Sequence, residues 1–386
     1  MEPKIRLKGF SGDWEVCVVN DIANRYDNLR IPVKESERQK GNIPYYGANG
    51  IQDYVSGYTH EGAFVLVAED GASDLDHYPV QFVEGKIWVN NHAHVLSAKG
   101  ENSTLFLKYL ISEADIKSNL VGGSRAKLNA DVLMHLPLLK PSIEEQETLG
   151  NFFKNIDDLI LLAVRKLDSL KQVKAASLQS MFPQKGETTP RVRIGNSTNE
   201  WKEYQLKEIL TERHEASTIT QDLPQLSFTI ADGVIRPEDR KSNQRDFLIK
   251  DKDNKRYLIT RVGDIIYNPA NVVFGAIHRN SLIDGVVSPI YRIFSTNQDS
   301  RFMECVVRRP SFISQLAMRT EGTVTKLKTL KPEAFLDMTV YIPTDMEEQR
   351  KIGEYFKNLD SQITLHTQRL EKLKQIKSAC LDNMFV

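Results

Sequence analysis

The residue types that perform chemistry occur in a few short stretches of this chain. His92 and His94 stand two residues apart on a strand-like run, as two metal ligands would, but no third ligand follows at a suitable spacing. Tyr267-Asn-Pro-Ala270 partly matches the Asn-Pro-Pro-aromatic motif of amino-methyltransferases, without its second proline and closing aromatic residue. The sequence therefore predicts no metal site and no methyltransferase centre here.

Motifs that bind nucleotide cofactors are missing from the sequence. It contains neither G-x-x-x-x-G-K-[ST] nor G-x-G-x-x-G after a strand, so we expect no cofactor on this chain. Gly123-Ser-Arg125 and Gly322-Thr-Val-Thr325 could present backbone N–H groups and a hydroxyl to a phosphate, or could be ordinary loops. The basic residues between Arg236 and Arg245 are either a solvated face or a binding surface. These stretches favour binding over catalysis.

Composition and charge bound the class of protein. A length of 386 residues predicts two or three domains. A hydrophobic content of 40% is typical of a globular chain. No run of 18 apolar residues and no apolar signal region occur, so we expect a soluble, cytoplasmic protein. Cys17, Cys305 and Cys380 are scattered, as reduced thiols would be. A net charge of zero means that nucleic-acid binding would need positive surface from partner subunits.

A stretch of 39 residues that could position such surfaces occurs twice. Glu144–Phe182 and Glu347–Phe385 align without a gap at an offset of 203, with 19 of 39 positions identical. Apolar or small residues recur at alternating steps of three and four, so each copy is predicted to be a long helix whose seam packs against the other copy. Lys174 and Lys377 interrupt the seam, either extending to solvent or fixing register. The predicted seam is Phe153, Ile156, Ile160, Leu167, Leu170, Phe356, Leu359, Ile363, Leu370 and Leu373.

The starts of both helices carry the same signal. Ser142 and Asp345 stand at matching positions, and each is followed three residues later by a glutamate, Glu145 or Glu348. This spacing is typical of a capping box, in which both side chains satisfy free backbone N–H groups.

Each helix follows a globular part with short strands. Trp14 and Trp201 open these parts in similar surroundings, but their middles do not align, so two similar scaffolds are predicted to carry different variable faces. Hydrophobic patterns predict strands over 63–68, 86–96 and 264–267, a short helix over 105–111 and a strand pair over 285–294.

We therefore predict an α+β fold with a pseudo-twofold internal repeat. Two β-rich globular domains would be joined by two long helices that form an antiparallel coiled coil. The predicted ranges are 1–140 for the first domain, 141–183 for the first helix, 184–194 for a linker, 195–343 for the second domain and 344–386 for the second helix.

This arrangement resembles the DNA-specificity subunit of type I restriction-modification systems. In that family two variable target recognition domains are each followed by a near-copy of one helix, here beginning Glu-Glu-Gln and continuing Phe-Lys-Asn-x-Asp. The segments IPYYGANGI, VAEDGAS, WVNNHAHVL, VGDIIYN and GVVSPIY are similar to blocks of those domains. The resemblance covers essentially the whole chain.

The resemblance implies a non-catalytic subunit that reads an asymmetric, two-part target in double-stranded DNA. It also implies partners: two adenine methyltransferase subunits and ATP-driven restriction subunits, which would carry S-adenosylmethionine and ATP. No membrane contact is implied. A helix seam of about 38 Å is close to the roughly 34–36 Å of one DNA turn, so we expect the helices to set the spacing of the half-sites.

Base-edge chemistry then selects candidate DNA-binding residues, because Asn and Gln suit adenine while Arg and Lys suit guanine. In the first domain they are Tyr45, Tyr46, Asn49, Asn90, His92, His94, Ser124, Arg125 and Lys127. In the second they are Arg236, Arg240, Lys241, Arg245, Asn268, Asn271, Arg279, Thr323, Lys326 and Lys328.

Helix residues outside the seam are candidates for docking the methyltransferase, unless the leucines among them widen the core. They are Leu159, Leu162, Lys166, Gln362, Leu365 and Arg369.

Two other functions remain open on the sequence alone. A single-chain DNA methyltransferase or nuclease would explain the recognition domains, but it needs the cofactor loop that is missing. A coiled-coil scaffold unrelated to DNA would explain the seams, but not the unlike globular domains with polar and basic faces.

Overall fold

The computed structural model describes residues 1–122, 126–184, 186–195, 199–240, 255–321 and 329–386. The chain forms two compact units that do not follow sequence order. Unit 1 contains Met1–Arg165 and Thr367–Val386, and unit 2 contains Lys166–His366. Each unit thus includes one globular part and a section of each long helix, because packing decides where a helix residue belongs.

The strands of unit 1 form a six-stranded sheet and a two-stranded sheet. They are β1 (Glu15–Val18), β2 (Ala23–Arg25), β3 (Lys40–Gly47), β4 (Gly50–Val55), β5 (His60–Ala68), β6 (Val80–Val89), β7 (Ala93–Ala98) and β8 (Pro137–Lys140). The large sheet has the order β2-β7-β5-β6-β3-β4, in which β3 and β6 are parallel and the other neighbours antiparallel. β1 and β8 pair separately.

The strands of unit 2 are shorter and form several small sheets. They are β9 (Lys202–Gln205), β10 (Leu210–Glu212), β11 (Ala216–Ser217), β12 (Ser227–Thr229), β13 (Gly233–Ile235), β14 (Tyr257–Thr260), β15 (Ile265–Tyr267), β16 (Ile277–Arg279), β17 (Gly285–Val287), β18 (Arg292–Thr296) and β19 (Thr339–Ile342). The sheets have the orders β10-β18-β15-β16, β11-β14-β17, β12-β13 and β19-β9.

Short helices surround the sheets, and two long helices run through both units. They are α1 (Val19–Ile22), α2 (Thr104–Ser112), α3 (Ala130–Met134), α4 (Ile143–Ser180), α5 (Leu206–Ile209), α6 (Ser300–Arg308), α7 (Pro310–Met318), α8 (Pro332–Leu336) and α9 (Met346–Met384). Among the described residues, no helix is both long enough and apolar enough to cross a bilayer.

The two units share one topology even where their sequences do not align. The order β2-β7-β5-β6 in unit 1 recurs as β10-β18-β15-β16 in unit 2, with a short helix before the first strand and α2 or α6 after the second. Unit 1 adds β3 and β4 to this scaffold, whereas unit 2 adds the β11-β14-β17 and β12-β13 sheets. The α+β fold class is therefore confirmed, with different additions on a repeated frame.

The predicted seam residues lie inside the units. Phe153 and Ile156 are 0% and 8% exposed in unit 1, and Phe356 and Leu359 are 1% and 8% exposed in unit 2. Leu167, Leu170 and Leu370 are also buried, while Ile160, Ile363 and Leu373 are half-buried. An apolar stripe at heptad spacing thus faces a core in each unit.

Matched ion pairs link the helix sections within each unit. In unit 1, Lys377 Nζ lies 2.6 Å from Asp157 Oδ1. In unit 2, Lys174 Nζ lies 2.5 Å from Asp360 Oδ1. Both pairs join α4 to α9, and the two lysines are repeat equivalents, as are the aspartates. The lysines that interrupt the seam therefore each meet a carboxylate on the facing helix, which favours the role in fixing register.

The structure corrects the capping-box prediction at the starts of both long helices. Ser142 Oγ accepts from Glu145 N at 3.4 Å, and Asp345 Oδ1 accepts from Glu347 N at 2.9 Å, so both residues do cap their helices. The Glu145 side chain instead accepts from Arg6 Nε and Nη2 at 2.9 and 2.6 Å. A charged, bidentate arginine is a stronger partner for a buried carboxylate than a backbone N–H.

The same bidentate Arg–Glu ion pair, here called the Arg–Glu clamp, recurs in unit 2. Arg193 donates to both carboxylate oxygens of Glu348, at 2.9 and 2.5 Å. Both glutamates are almost fully buried, at 1% and 2% exposure. The Glu-Glu-Gln start is therefore needed for packing, since its second glutamate fastens the segment that leads to Trp14 or Trp201.

Two predicted strand regions differ from the structure. The run 86–96 is not one strand, because β6 ends at Val89 and β7 begins at Ala93, with Asn90 Oδ1 accepting from His92 N at 2.8 Å in the turn between them. Alternation of polar and apolar residues continues through this turn and hides it. The region 285–294 does contain two strands, but β17 pairs with β14 while β18 pairs with β15 and β10.

Candidate nucleic-acid interface

A matched pair of loops stands at the same place in both units. The β5–β6 loop (69–79) and the β15–β16 loop (268–276) connect equivalent strands. Leu128 N donates to Glu69 O at 2.8 Å in unit 1, and Leu330 N donates to Pro269 O at 3.0 Å in unit 2. Each loop is thus fastened to the segment that leads to α3 or α8.

That segment begins at a hydrogen-bonded neck. Val121 and Lys127 exchange N–H···O bonds of 3.0 and 2.9 Å in unit 1, as do Glu321 and Thr329 in unit 2. The two predicted phosphate-binding stretches fall between these neck residues. Among the predicted DNA-binding residues, Ser124, Arg125, Lys241, Arg245, Thr323, Lys326 and Lys328 lie outside the described residues.

The structure brings three predicted residues of unit 1 together around the β5–β6 loop. Asn49 is exposed, donates to Gly71 O at 2.8 Å and accepts from Ser73 N at 2.8 Å. His92 Nδ1 lies 2.5 Å from Asp70 Oδ1. Lys127 Nζ lies 2.9 Å from Glu69 Oε1. Residues far apart in sequence therefore form one polar surface.

A network of half-buried ion pairs around the buried His94 supports this surface. Glu69 accepts from Arg30 Nη1 at 2.7 Å as well as from Lys127. Burial opposes the charge of Glu69, yet the hydrogen bonds from Arg30 and Lys127 outweigh it and lower the pKa of this carboxyl. His94 Nδ1 lies 2.7 Å from Asp27 Oδ2, and its Nε2 lies 2.9 Å from Leu128 O. The network keeps the neck and the loop in register.

Three members of this network also have a spacing that a metal ion could use. Ligand atoms of Asp27, Glu69 and His94 lie within 4.8 Å of one another. Arg30 and Lys127 already place two cations against these carboxylates, so their charge is compensated without a metal. We therefore interpret the cluster as structural.

Three predicted DNA-binding residues are reassigned to structural roles because they are buried. Tyr45, Asn90 and His94 are 1%, 4% and 1% exposed. The Tyr45 hydroxyl accepts from Val33 N at 3.0 Å and donates to Val33 O at 3.2 Å, so its polar atom is already used. These three side chains would have to leave the core to contact the edge of a base. Tyr46 is half-buried, and burial raises its pKa.

The predicted residues of unit 2 lie in three places. Asn268 and Asn271 lie half-buried on the β15–β16 loop. Arg236 and Arg240 are exposed on the segment after β13. Arg279 ends β16, on the side away from that loop, and donates to Ser300 Oγ at 2.8 Å. Burial lowers the pKa of Arg279. The loop therefore gathers the two asparagines but not Arg279.

Sequence reasoning missed two features of these loops. Asp27 and Arg30 lie in no motif, and the VAEDGAS block that contains Glu69 does not reveal the partners of this residue. The three residues come together only through the sheet. The exposed ring of Phe274 on the β15–β16 loop was also missed. Its position just after the Asn-rich turn 268–271 was the available signal.

The predicted docking residues lie at the surface of their units. Leu159 and Leu162 are 44% and 64% exposed in unit 1, and Leu365 is 63% exposed in unit 2. Lys166, Gln362 and Arg369 are also exposed. These leucines therefore do not widen the core of either unit.

Comparisons with a family model, with curated proteins and with solved structures all point to the same family. Residues 11–172 and 198–375 match the model of the type I restriction modification DNA specificity domain. Over 140 residues the chain is 45% identical to a Haemophilus influenzae protein named as a type I restriction enzyme specificity subunit, covering 36% of each chain. Over 116 residues it is 26% identical to the EcoprrI specificity subunit of Escherichia coli, covering 30% of this chain and 28% of that one.

The similarity in sequence spans about a third of the length of these curated relatives. The similarity in fold spans more. The crystal structure of a type I restriction-modification S subunit from M. genitalium superposes with a TM-score of 0.68, covering 100% of this chain and 99% of that chain at 12% identity. At this identity the match supports the fold alone.

Proposed function

We propose that this chain, which belongs to the family of type I restriction modification DNA specificity proteins, is a DNA-reading subunit in which each unit addresses one half of a two-part target. The observation that carries this proposal is the matched pair of loops. Equivalent strands of a repeated scaffold hold them, yet their side chains differ between the units. Two equivalent surfaces with unlike chemistry are what an asymmetric target requires.

The side chains on these surfaces suit contacts with bases and phosphates. Asn49, His92 and Lys127 in unit 1 offer an amide, an imidazole and an ammonium group around one loop. Asn268 and Asn271 in unit 2 offer amides, which pair with the N6 and N7 edge of adenine. Arg236 and Arg240 are exposed cations suited to phosphate.

The chain has no catalytic part in this proposal. Methyl transfer and ATP-driven restriction would belong to partner subunits, together with S-adenosylmethionine and ATP. Zero net charge fits a reader whose complex draws part of its phosphate contacts from those partners. The role of the long helices in setting half-site spacing remains a prediction from their length.

Methylome sequencing of the source cell, with and without the gene, tests the proposal. We expect a bipartite, asymmetric adenine motif that is methylated when the gene is present and unmethylated when it is deleted. An unchanged methylome in a cell whose methyltransferase subunit is intact would refute it.

The docking face is tested on the same complex. Leu162→Glu and Leu365→Glu place charges where we propose methyltransferase helices dock, so the complex should dissociate in size-exclusion chromatography. Leu161→Glu is the control for Leu162→Glu. Leu161 lies on the same helix, α4, and is 48% exposed, but it was not assigned to the docking face. An intact complex in both test variants would reject the docking face.

A further inference from the structure

The β15–β16 loop of unit 2 presents a phenylalanine ring to solvent. Phe274 is 66% exposed, the most exposed phenylalanine of the described residues. Val272, two residues earlier, is fully buried at 0% exposure. The loop is therefore anchored through Val272, while most of the Phe274 ring is left available to a ligand.

Backbone hydrogen bonds hold this loop in one conformation. Phe274 N donates to Asn271 O at 3.0 Å, and Gly275 N donates to Val272 O at 2.9 Å. Gly275 has a φ of 86°, in the left-handed region that favours glycine, and so the chain can turn directly after the ring. A ring on a fixed backbone loses little freedom on binding, which makes it a suitable contact residue.

The chemistry of the loop favours base edges over phosphates. Residues 268–276 (NPANVVFGA) carry no charge, whereas the equivalent loop of unit 1 carries Glu69, Asp70, Asp74 and Asp76. Among the described residues the side-chain amide of Asn271 has no hydrogen-bond partner, although its backbone N–H donates to Asn268 O. Asparagine reads adenine through N6 and N7, and phenylalanine makes apolar contact with the 5-methyl group of thymine. The loop therefore suits A·T pairs.

We infer that Phe274 is a specificity-determining residue that contacts the methyl group of a thymine in the half-site read by unit 2. Asn271, three residues away on the same loop, would contact an adenine nearby. This inference rests on the proposed function and names the base chemistry of its second reading surface.

The test combines protein and DNA substitutions. The assembled methyltransferase complex is titrated with duplexes that carry the motif from methylome sequencing, in which each thymine is replaced singly by deoxyuracil. With the wild-type protein we expect roughly three- to tenfold weaker binding at one thymine, the effect of losing one buried methyl group. Phe274→Ala should weaken binding to the natural duplex by a similar factor, and should no longer distinguish thymine from deoxyuracil at that position.

Controls separate this inference from its premise. Val262→Ala removes a side chain that is 52% exposed in unit 2, before β15 and away from the loop, and should bind all duplexes like the wild type. The inference is overturned, while the proposed function stands, if Phe274→Ala binds the natural duplex like the wild type. It is also overturned if the losses of binding free energy from Phe274→Ala and from each deoxyuracil are additive at every thymine. If Phe274→Ala no longer assembled with the methyltransferase subunits, the ring would be assigned to a contact between subunits and the inference would be overturned. Failure of the wild-type complex to prefer the motif would instead refute the premise.

Discussion

At the scale of single residues, His278 shows how burial sets a protonation state. Its side chain is 3% exposed, and its Nε2 lies 2.8 Å from Ile230 O. Burial, reinforced by the charge of Arg308, lowers the pKa of His278 to about 4, although Glu304 Oε1 lies 4.0 Å from Nδ1. The imidazole is therefore neutral in the folded protein at pH 5 to 7.

This state predicts loss of stability in mild acid. Between pH 6.5 and pH 4 the unfolded chain binds a proton at His278 that the folded chain does not, so stability falls as the pH falls. From pH 7 to pH 5 the loss is about 2 kcal/mol. His278→Gln cannot titrate but keeps an amide donor for Ile230 O. Thermal unfolding at both pH values should show a smaller decrease in this variant. Equal decreases would assign the acid sensitivity to other groups.

Neighbouring histidines show what sequence can and cannot predict about a site. His92 and His94 have the same residue type and similar surroundings in sequence, and both were predicted to face DNA. His92 meets Asp70 at the surface, whereas His94 is buried between Asp27 and Leu128 O. The difference arises from partners 34 and 67 positions away along the chain, which local pattern does not reveal.

At the scale of elements, the helix starts pack closely on their units through two equivalent glycines. A Cβ on Gly353 of α9 would lie 2.8 Å from Phe302 N and 2.9 Å from Asp299 Oδ1. A Cβ on Gly150 of α4 would lie 3.1 Å from Phe106 N and 3.4 Å from Leu105 Cγ. Both glycines approach a backbone nitrogen, but the approach at Gly353 is tighter, and it is closer than real Cβ atoms come to other atoms.

Matched alanine substitutions should therefore differ. Alanine favours a helix over glycine by about 1 kcal/mol, which offsets part of the strain. We expect Gly353→Ala to destabilise unit 2 by about 1–3 kcal/mol, because the backbone of α6 would have to move. Gly150→Ala should be close to neutral. Denaturant unfolding of both variants measures the difference, and a larger loss for Gly150→Ala would contradict this account.

The two ion pairs between the long helices also differ in their surroundings. Asp157 accepts from Tyr109 Oη at 2.8 Å and lies 3.2 Å from Lys108 Nζ, in addition to its pair with Lys377. Burial opposes its charge, but Lys108 and Lys377 outweigh burial and lower the pKa of Asp157. Asp360 in unit 2 is 47% exposed beside Lys174.

We expect Asp157→Asn to cost about 2 kcal/mol and Asp360→Asn at most about 1 kcal/mol. Only the first removes the carboxylate from a second lysine, Lys108, whose side chain is just 14% exposed. The Asp157 contribution is present above the unfolded pKa of about 3.9 and is lost as pH falls below it, since the folded pKa is the lower one. Urea unfolding at pH 7 measures both costs. Equal costs would show that the extra partners of Asp157 add nothing.

Elements with a long period were the easiest to predict. The helices α4 and α9 begin and end within a few residues of the predicted ranges, because their seam repeats over many turns. The strand run 86–96 was harder, since a three-residue turn preserved its alternation. The sheets of unit 2 depend on pairing between distant segments, such as β14 with β17, that pattern alone does not specify.

At the scale of the whole molecule, one scaffold is used twice with different loops. The repeated strand order and the repeated Arg–Glu clamps make the two units equivalent in structure. The β5–β6 loop is acidic and polar, whereas the β15–β16 loop is uncharged and carries the exposed Phe274. Under the proposed function, equivalent scaffolds with unlike loops would read the two halves of a target separately.

Separate reading predicts that a substitution in one unit changes one half of the methylated motif. His92→Ala in unit 1 should relax the sequence of one half and leave the other unchanged, and Asn271→Ala in unit 2 should do the reverse. Each lost base contact is worth about 1–3 kcal/mol, enough to relax a position by roughly fivefold or more. Methylome sequencing of cells that carry each variant measures this directly, with Val262→Ala as the unchanged control. If both variants altered the same half, or if either altered both halves equally, the assignment of one half-site to each unit would have to be abandoned.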